Sequence, residues 1–297
     1  MVSKDKDKIT GAIEIIKNRM FWISDSKPPK CKTSQAFYFC IDDNLVYEPF
    51  CDDFGPLNMA MTHKYCTEVD KILTNPDYSK HKLYHYTSLD FKKRANGAYL
   101  LGAYLVICRK MSAKDAWKFF DDIQPQFVPF RDAINGECTY NCYILDCLRG
   151  LEFAIKLRWY DHGSFNVKQY EEYERVDNGD MNWIVPGKFV AFSSPSNTQY
   201  DSDGYRTFTP EDYVPIFRKW GVNLVIRLNK ETYDAKKFLK NGIKHLELFF
   251  ADGSVPKMEI IDTFLEVCEK EKHAIAVHCK AGLGRTGSLI ACYVMKH

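Results

Sequence analysis

The sequence predicts an α/β protein made of two tandem domains. Its 297 residues are roughly twice the length of a typical domain. The second half alternates apolar strands with amphipathic helices, an order that indicates parallel strands joined by helical crossovers. A polar, acidic stretch at residues 164–180 separates the two halves. We therefore expect an N-terminal extension at residues 1–35, a first domain at 36–163, a linker helix at 164–178 and a second domain at 179–297.

The first half begins with a charged stretch, followed by a short amphipathic segment at residues 13–22. Residues 36–47 alternate aromatic and polar side chains, which predicts strands on either side of a turn at residues 42–44. The remaining elements follow from helical spacing and from short apolar runs. They are helices at residues 58–73, 93–108, 113–120 and 140–157, and a strand at residues 82–86.

The second half opens with the predicted linker helix, which ends at the helix-stop pair Asn178-Gly179. The next helix has the strongest boundary signals. Thr209 and Asp212 form a capping-box pattern around Pro210, and Gly221 marks the end. The other elements follow from apolar runs and helical spacing. They are strands at residues 188–192, 223–228 and 274–277, and a helix at residues 256–270.

Composition excludes several classes of protein. The net charge is +2, from 41 basic and 39 acidic residues, which argues against a nucleic-acid partner. The longest mostly apolar stretch, residues 95–108, is shorter than the ~20 residues that a membrane span needs. Eleven cysteines without a framework pattern indicate reduced thiols rather than disulfides. Cys138, Cys142 and Cys147 fit no common zinc spacing, and we expect no metal.

Residues 276–286, AVHCKAGLGRT, carry the clearest chemical signal. Five residues separate Cys279 from Arg285, and this signature loop (residues 279–285) lies between a predicted strand and a predicted helix. Backbone N–H groups at a helix N-terminus stabilise a thiolate and bind phosphoryl oxygens. The pattern therefore predicts a cysteine-dependent phosphatase with Cys279 as its nucleophile. A buried structural cysteine beside a glycine-rich turn is the alternative.

Each position around the loop has an expected role. Arg285 offers a planar fork to two phosphoryl oxygens, and Thr286 is placed to hydrogen-bond the sulfur. His278 is expected to order the loop through hydrogen bonds rather than to act as a base. The phosphate-binding positions are Lys280, Ala281, Gly282, Leu283, Gly284 and Arg285, where glycines supply backbone freedom.

A general acid must protonate the leaving oxygen. Asp252 is the leading candidate, because its loop follows a predicted strand and should end at the same edge of the sheet as Cys279. Asp262 and Glu266 remain alternatives, although both lie on the following helix.

The first half contains an echo of the signature loop. A predicted strand ending at His85 is followed by a loop and an apolar helix, as at His278. Tyr86 falls where Cys279 falls, and Lys92 falls where Arg285 falls. We expect the first half to be a degenerate copy that has lost its nucleophile.

Residues 279–287 resemble the dual-specificity branch of the protein tyrosine phosphatase superfamily. Longer segments resemble the cell-division-cycle-fourteen phosphatases, and the resemblance runs from about residue 36 to residue 297. The segments are FGPLNMA at 54–60, VPFRDA at 128–133, NGDMNWIVP at 178–186 and IRLNKETYDAKKF at 226–238.

This resemblance implies two dual-specificity-phosphatase folds, of which only the second is catalytic. It implies a cysteinyl-phosphate intermediate, no metal or other cofactor, and roles for Cys279, Arg285 and Asp252 as assigned above. Members of the family continue beyond the position of His297, so we expect the catalytic domain to be incomplete at its C-terminus. The family also implies a nuclear and cytoplasmic location, with the centrosome or spindle as further sites, and a role in cell-cycle control.

The implied substrates are phosphoproteins with phosphoserine followed by proline and then a basic residue. A basic side chain needs a carboxylate nearby, and Glu171 and Glu174 lie three apart on the predicted linker helix. Asp90, in the degenerate loop, is a further candidate for a groove between the domains.

Two other functions stay open. A phosphoinositide phosphatase has a similar loop but typically carries a second basic residue where this chain has Leu283. The second alternative is a non-catalytic, truncated chain that binds phosphopeptides without turning them over.

Overall fold

The computed structural model describes residue 9 and residues 11–27, 36–134 and 136–297. The chain divides into two compact units, Met1–Phe165 and Asn166–His297. Each unit has its own sheet, flanking helices and apolar core. The α/β class predicted from the sequence is therefore confirmed.

The first unit is built on a four-stranded sheet. Its strands are β1 (Ile13–Ile16), β2 (Met20–Ser24), β3 (Ala36–Cys40) and β4 (Lys82–Thr87). They lie in the order β1-β2-β4-β3. β1 pairs antiparallel with β2, whereas β4 pairs in parallel with both of its neighbours.

Four α-helices are described in the first unit. They are α1 (Met59–Thr74), α2 (Phe91–Ile107), α3 (Ala113–Trp117) and α4 (Ile144–Lys156). α2 contacts the other three helices and is buried over nearly its whole length, so it is apolar on all sides. Among the described parts of the chain, no helix combines the length and the hydropathy of a membrane span.

The second unit has a five-stranded sheet. Its strands are β5 (Met181–Val185), β6 (Phe189–Phe192), β7 (Val222–Arg227), β8 (Lys244–Glu247) and β9 (Ala274–His278). They lie in the order β5-β6-β9-β7-β8. Only the pair β5–β6 is antiparallel. β9 is central and wholly buried, as expected for a parallel strand covered on both faces.

The helices of the second unit cover both faces of this sheet. They are α5 (Val167–Glu174), α6 (Pro210–Trp220), α7 (Lys236–Leu239), α8 (Met258–Lys270) and α9 (Gly284–Lys296). One core contains Tyr213 and Phe217 of α6, and the other contains Phe264 of α8 and Leu289 of α9. The boundaries predicted for α6 are confirmed. Thr209 and Asp212 form the capping box, and Gly221 ends the helix with φ +71°.

The echo between the halves is present in the fold. In each unit an antiparallel edge pair is followed by a parallel central strand and a helix that begins just beyond it. The offset from His85 to His278 equals the offset between the first residues of α2 and α9, 193 in both cases (278 − 85 and 284 − 91). Both histidines are fully buried, and each shares a hydrogen bond with a tyrosine hydroxyl, 2.8 Å in both cases. The two units therefore share the topology that the degenerate-copy hypothesis requires.

Two predictions for the first half are wrong. Residues 11–27 are not an extension, because Met20, Phe21 and Trp22 are buried in β2, which pairs with β4. The rest of the predicted extension, residues 1–8, 10 and 28–35, lies outside the described residues. Residues 36–47 do not form a pair of strands around a turn. The turn exists, but only the segment before it is a strand, and that strand pairs with β4.

Two helices also differ from their predicted form. The helix predicted at residues 140–157 begins only at Ile144, because Cys142 pairs with the backbone of Phe130 instead. The predicted linker helix is α5, a shorter helix within the second unit. It contacts β5, and the Tyr173 ring packs edge-on against Trp220 at 4.8 Å.

Candidate active site

The site lies where parallel strands of the second unit end, at the carboxyl edge of the sheet. Backbone hydrogen bonds join the segments that leave these strands. Leu228 N–H donates to the His278 carbonyl at 2.9 Å, and Ser194 N–H donates to the Lys280 carbonyl at 2.9 Å. Phe250 N–H donates to the Leu228 carbonyl at 3.3 Å, which holds the Asp252 loop against the same edge. Such an edge is where open parallel sheets bind ligands.

The signature loop connects β9 directly to α9. Cys279 follows the last residue of β9, and Leu283 is the N-cap of α9. Gly282 has φ +71°, and a Cβ at this position would lie 2.4 Å from the Phe192 carbonyl oxygen. No other residue type fits there without a shift of the backbone of β6, so glycine fixes the curvature of the loop.

Cys279 is placed as a nucleophile requires. The residue is only 3% exposed. Burial alone would raise the pKa of its thiol, but the Thr286 hydroxyl, the N–H groups of Thr286 and Leu283, and the charge of Arg285 together hold that pKa below its ordinary value. The Thr286 hydroxyl is buried without a hydrogen-bond partner in good geometry, and its effect on the site is to lower the pKa of the Cys279 thiol.

Arg285 and Asp252 meet beside this sulfur. The Arg285 guanidinium is 7% exposed, and its Nε lies 3.2 Å from the Asp252 carboxylate, which is 72% exposed. The contact is an ion pair without hydrogen-bond geometry at Nε, because no acceptor lies in line with that N–H. Nη1 donates to the Phe250 carbonyl at 3.3 Å, so the Asp252 loop also holds the arginine in place. Asp262 and Glu266 lie on α8, in the following segment.

His278 is part of a buried hydrogen-bond chain. Its Nδ1–H donates to the Cys279 carbonyl at 3.0 Å, and its Nε2 shares a hydrogen bond of 2.8 Å with the Tyr233 hydroxyl. Tyr233 also contacts His245 Nε2 at 2.7 Å. Burial lowers the pKa of His278 to about 3, so the ring is neutral and positions the loop rather than moving protons.

Sequence reasoning missed the residues that support this chain. Arg227 at the end of β7 forms two hydrogen bonds with Glu247, at 2.8 and 2.6 Å, and a third with the Tyr233 carbonyl at 2.7 Å. The apolar run of β7 indicated that Arg227 has a partner, because an arginine buried at the end of such a strand must be paired. The sequence did not identify Glu247 as that partner, since Glu247 lies on another strand.

The residues predicted to bind substrate belong to different units. Glu171 and Glu174 are half-buried on α5. Burial, and to a smaller extent the charge of Glu174, raises the pKa of Asp180. Asp90 belongs to the first unit, where its carboxylate accepts a hydrogen bond from Lys93 N–H at 2.9 Å and caps α2.

The degenerate loop of the first unit cannot act as a phosphate cradle. Tyr86 replaces the nucleophile, and its hydroxyl donates to the Asp25 carbonyl at 3.1 Å. Lys92, at the arginine position, lies over the rings of Phe54 and Phe91 at 5.9 Å. A backbone donor of the loop, Ser88 N–H, is 2.9 Å from the buried carboxylate of Asp42, which therefore takes the place of an anionic ligand.

Comparison with known proteins agrees with both halves of this description. Residues 14–154 match the family described as "Dual specificity protein phosphatase, N-terminal half". Residues 203–297 match the family described as "Polymorphic toxin system, DSP-PTPase phosphatase".

Individual relatives match along almost the whole chain. Human "Dual specificity protein phosphatase CDC14A" is 48% identical over 297 residues, covering 100% of this chain and 50% of that protein. "Tyrosine-protein phosphatase cdc-14" of Caenorhabditis elegans is 41% identical over 294 residues, covering 95% of this chain and 42% of that protein. "Tyrosine-protein phosphatase CDC14 homolog" of Schizosaccharomyces pombe is 37% identical over 301 residues, covering 98% of this chain and 56% of that protein.

The chain spans about half the length of the curated relatives it matches. Its two units correspond to the tandem phosphatase-like domains expected from the sequence, and the signature loop lies in the second of them. The chain is strongly homologous to the CDC14 dual specificity protein phosphatases.

Proposed function

We propose that this chain hydrolyses phosphate monoesters of serine, threonine and tyrosine side chains in proteins. The observation that carries the proposal is the Cys279 thiol, whose pKa is held low inside a loop that also contains Arg285. The Asp252 carboxyl group, 3.2 Å from Arg285 Nε, supports the proposal as the group that would carry a proton to the leaving oxygen. The names of the CDC14 relatives support the same reaction.

The chemistry proceeds in two displacements at phosphorus. The Cys279 thiolate attacks the phosphoryl group while Arg285 and the backbone N–H groups of the loop bind its oxygens. Asp252 protonates the leaving oxygen, which releases the alcohol and leaves a cysteinyl-phosphate. In the second step Asp252 accepts a proton from water as that water attacks phosphorus. The sulfur departs as a thiolate stabilised by the Thr286 hydroxyl, and inorganic phosphate is the product.

The test is turnover of a small aryl phosphate by the full chain and by Cys279→Ser. Serine is nearly isosteric, but this loop does not ionise its hydroxyl, so turnover should be abolished while phosphopeptide binding is kept. Cys292→Ser is the matched control, because Cys292 lies on α9 outside the loop and should keep its activity. A Cys279→Ser rate above about a tenth of the original would contradict the nucleophile assignment.

Two other outcomes identify the alternative functions. Phosphopeptide binding without turnover in the unsubstituted chain would indicate a binding module. Preference for a phosphoinositide over a phosphopeptide would indicate a lipid phosphatase. Leu283 is 63% exposed at the position where a second basic residue would contact a multiply charged head group, which favours the protein substrate.

We further propose that the preferred substrates have phosphoserine followed by proline and then a basic residue. Glu171 and Glu174 lie on one face of α5, and the charge of Glu174 contributes to the raised pKa of Asp180. A partly shielded ion pair contributes on the order of 1 kcal/mol, about fivefold in selectivity. Asp90 is the weaker candidate, since it already caps α2.

The test is Glu171→Lys combined with Glu174→Lys. The double variant should lower kcat/KM for basic phosphopeptides about fivefold or more and leave the aryl phosphate unchanged. The difference between the effects on the two substrates should become smaller at high salt, because salt screens charges that reach the solvent. Equal losses of kcat/KM on both substrates would assign these residues a structural role. No loss on either substrate would show that basic side chains are recognised by other residues.

We also propose a location in the nucleus and cytoplasm, including the centrosome or spindle, and a role in cell-cycle control. The proposed location rests only on the family resemblance seen in the sequence. Fluorescence imaging of the tagged full-length protein through one division tests it, and a signal confined to another compartment would refute it.

A further inference from the structure

A second group of chemically reactive side chains lies in the first unit, far along the chain from the signature loop. Asp70 on α1, Cys108 directly after α2 and His162 beyond α4 present ligand atoms that all lie within 4.8 Å of one another. Three segments of the unit thus bring a thiol, a carboxylate and an imidazole to one place.

Two tyrosine hydroxyls orient this cluster. Tyr104 donates a hydrogen bond to Asp70 Oδ1 at 2.7 Å, and Tyr160 contacts His162 Nδ1 at 3.1 Å. In metal sites the coordinating carboxylates and imidazoles are commonly fixed in this way by a hydrogen bond from a neighbouring group. The two hydrogen bonds are a second observation, independent of the mutual distances, that points to a bound ion.

We propose that Asp70, Cys108 and His162 bind one zinc ion, with a water molecule as its fourth ligand. Thiolate and imidazole ligands favour zinc over magnesium or calcium, and three protein ligands with one water match its tetrahedral preference. Bond lengths of about 2.0 to 2.3 Å place tetrahedral ligand atoms roughly 3.3 to 3.8 Å apart. The separations of up to 4.8 Å therefore close with a movement of less than ~1 Å for each side chain.

The ion would have a structural role. It would join α1, the end of α2 and the segment after α4, so it would fix the C-terminal part of the first unit. Phosphoryl transfer at Cys279 needs no metal, so the site adds a ligand to the protein without entering the reaction. The ligands come from distant positions, which is why no spacing in the sequence indicates them.

The test is titration of the full chain with cobalt(II), a spectroscopic substitute for zinc, under reducing conditions. It is carried out in the Cys279→Ser background, so that the catalytic thiolate is not a competing ligand. We expect one cobalt ion per chain, thiolate-to-cobalt charge-transfer absorption in the near ultraviolet and the strong visible bands of a tetrahedral site. Zinc should displace the cobalt, and zinc at about a hundredfold excess over its Kd should raise Tm by about 5 °C.

Three variants locate the site. Cys108→Ser and His162→Gln should each lower cobalt affinity by at least tenfold, and Tyr104→Phe, a nearly isosteric change, should lower it about tenfold by releasing Asp70. Tyr104→Phe keeps the test decisive if a ligand variant fails to fold. Cys147→Ser is the matched control. Cys142 Sγ and Cys147 Sγ form a close pair in this unit, 3.6 Å apart, without the other ligands.

Several results would overturn the proposal. Absence of thiolate-to-cobalt charge-transfer absorption under reducing conditions would do so. Equal loss of affinity in Cys147→Ser and Cys108→Ser would do so as well, because binding would then be non-specific. Phosphatase activity is a separate readout, so failure of the zinc site and failure of the proposed reaction can be told apart.

Discussion

The Asp252 carboxylate lies 3.2 Å from Nε of Arg285, although the two residues leave different strands of the sheet. The arginine is buried at the base of the loop and the aspartate is exposed above it. A phosphate ester bound to the arginine would therefore have its leaving oxygen on the side of the aspartate. This arrangement makes the roles of the two residues separable by experiment.

Replacing Asp252 should affect substrates according to their leaving groups. Asp252→Ala removes the proton donor, so hydrolysis of phosphoserine peptides should slow by about 10² or more. An aryl phosphate with a very acidic leaving group should lose much less, because its oxygen departs without a proton. The two rates are compared for one enzyme preparation. An equal loss on both substrates would assign Asp252 a structural role.

Replacing Thr286 should change the ionisation of Cys279. Thr286→Val keeps the shape of the side chain but removes the hydroxyl that lowers the pKa of the thiol. The pKa should rise, and the acidic limb of the activity profile should move to higher pH, because less thiolate is then present at neutral pH. The pH dependence of alkylation by iodoacetate measures this shift. Thr286→Ser, which keeps the hydroxyl, should leave the profile in place.

The curvature of the signature loop should depend on Gly282. In Gly282→Ala the new Cβ would lie 2.4 Å from the Phe192 carbonyl oxygen, at a residue with φ +71°. Strain of this kind costs about 1 to 3 kcal/mol, so both activity and thermal stability should fall. Gly287→Ala is the control, because nothing lies within 4 Å of a Cβ there. Comparable losses in the two variants would contradict the steric argument.

Glu271 should make the stability of the second unit depend on pH. Burial would raise the pKa of its carboxyl, but hydrogen bonds from Lys244, His273 and Asn223 lower that pKa to about 2. Its contribution is therefore fully present above the unfolded pKa of about 4.5 and is lost as pH falls through about 2.

Glu271→Gln tests this dependence through denaturant unfolding at several pH values. At pH 7 we expect a loss on the order of 2 kcal/mol in the free energy of unfolding, and near pH 2 we expect no difference. The control is Glu266→Gln, whose carboxylate pairs with Lys270 on the solvent face of α8 and should change stability little. A difference that persists unchanged at low pH would rule out the electrostatic origin.

Much of the site could be predicted because its chemistry is contiguous in the chain. Cys279, Arg285 and Thr286 lie in a single strand–loop–helix segment, so their spacing in the sequence determines their relative positions. Predicting that Asp252 lies near Cys279 required one further rule, that parallel strands end at a common edge of the sheet. The buried chain through Tyr233 and His245 could not be predicted, because its members meet only after three separate segments have packed.

The errors in the fold arose where tertiary pairing overrides local pattern. The alternation at residues 36–47 fits a pair of strands around a turn, but the sheet of the first unit offers β3 a better partner in β4. The segment at residues 13–22 is amphipathic and short, and nothing local shows that β2 has a partner sixty residues later. Strand pairing between distant segments decides both cases.

Asp42 makes the loss of chemistry in the first half difficult to reverse. Restoring Tyr86 to cysteine would leave the carboxylate of Asp42 2.9 Å from Ser88 N–H, where it would repel a phosphate dianion. Removing Asp42 alone would leave no nucleophile and expose a backbone donor that the carboxylate now satisfies. Neither substitution alone would therefore create a phosphate cradle in this loop, and the two changes would have to occur together.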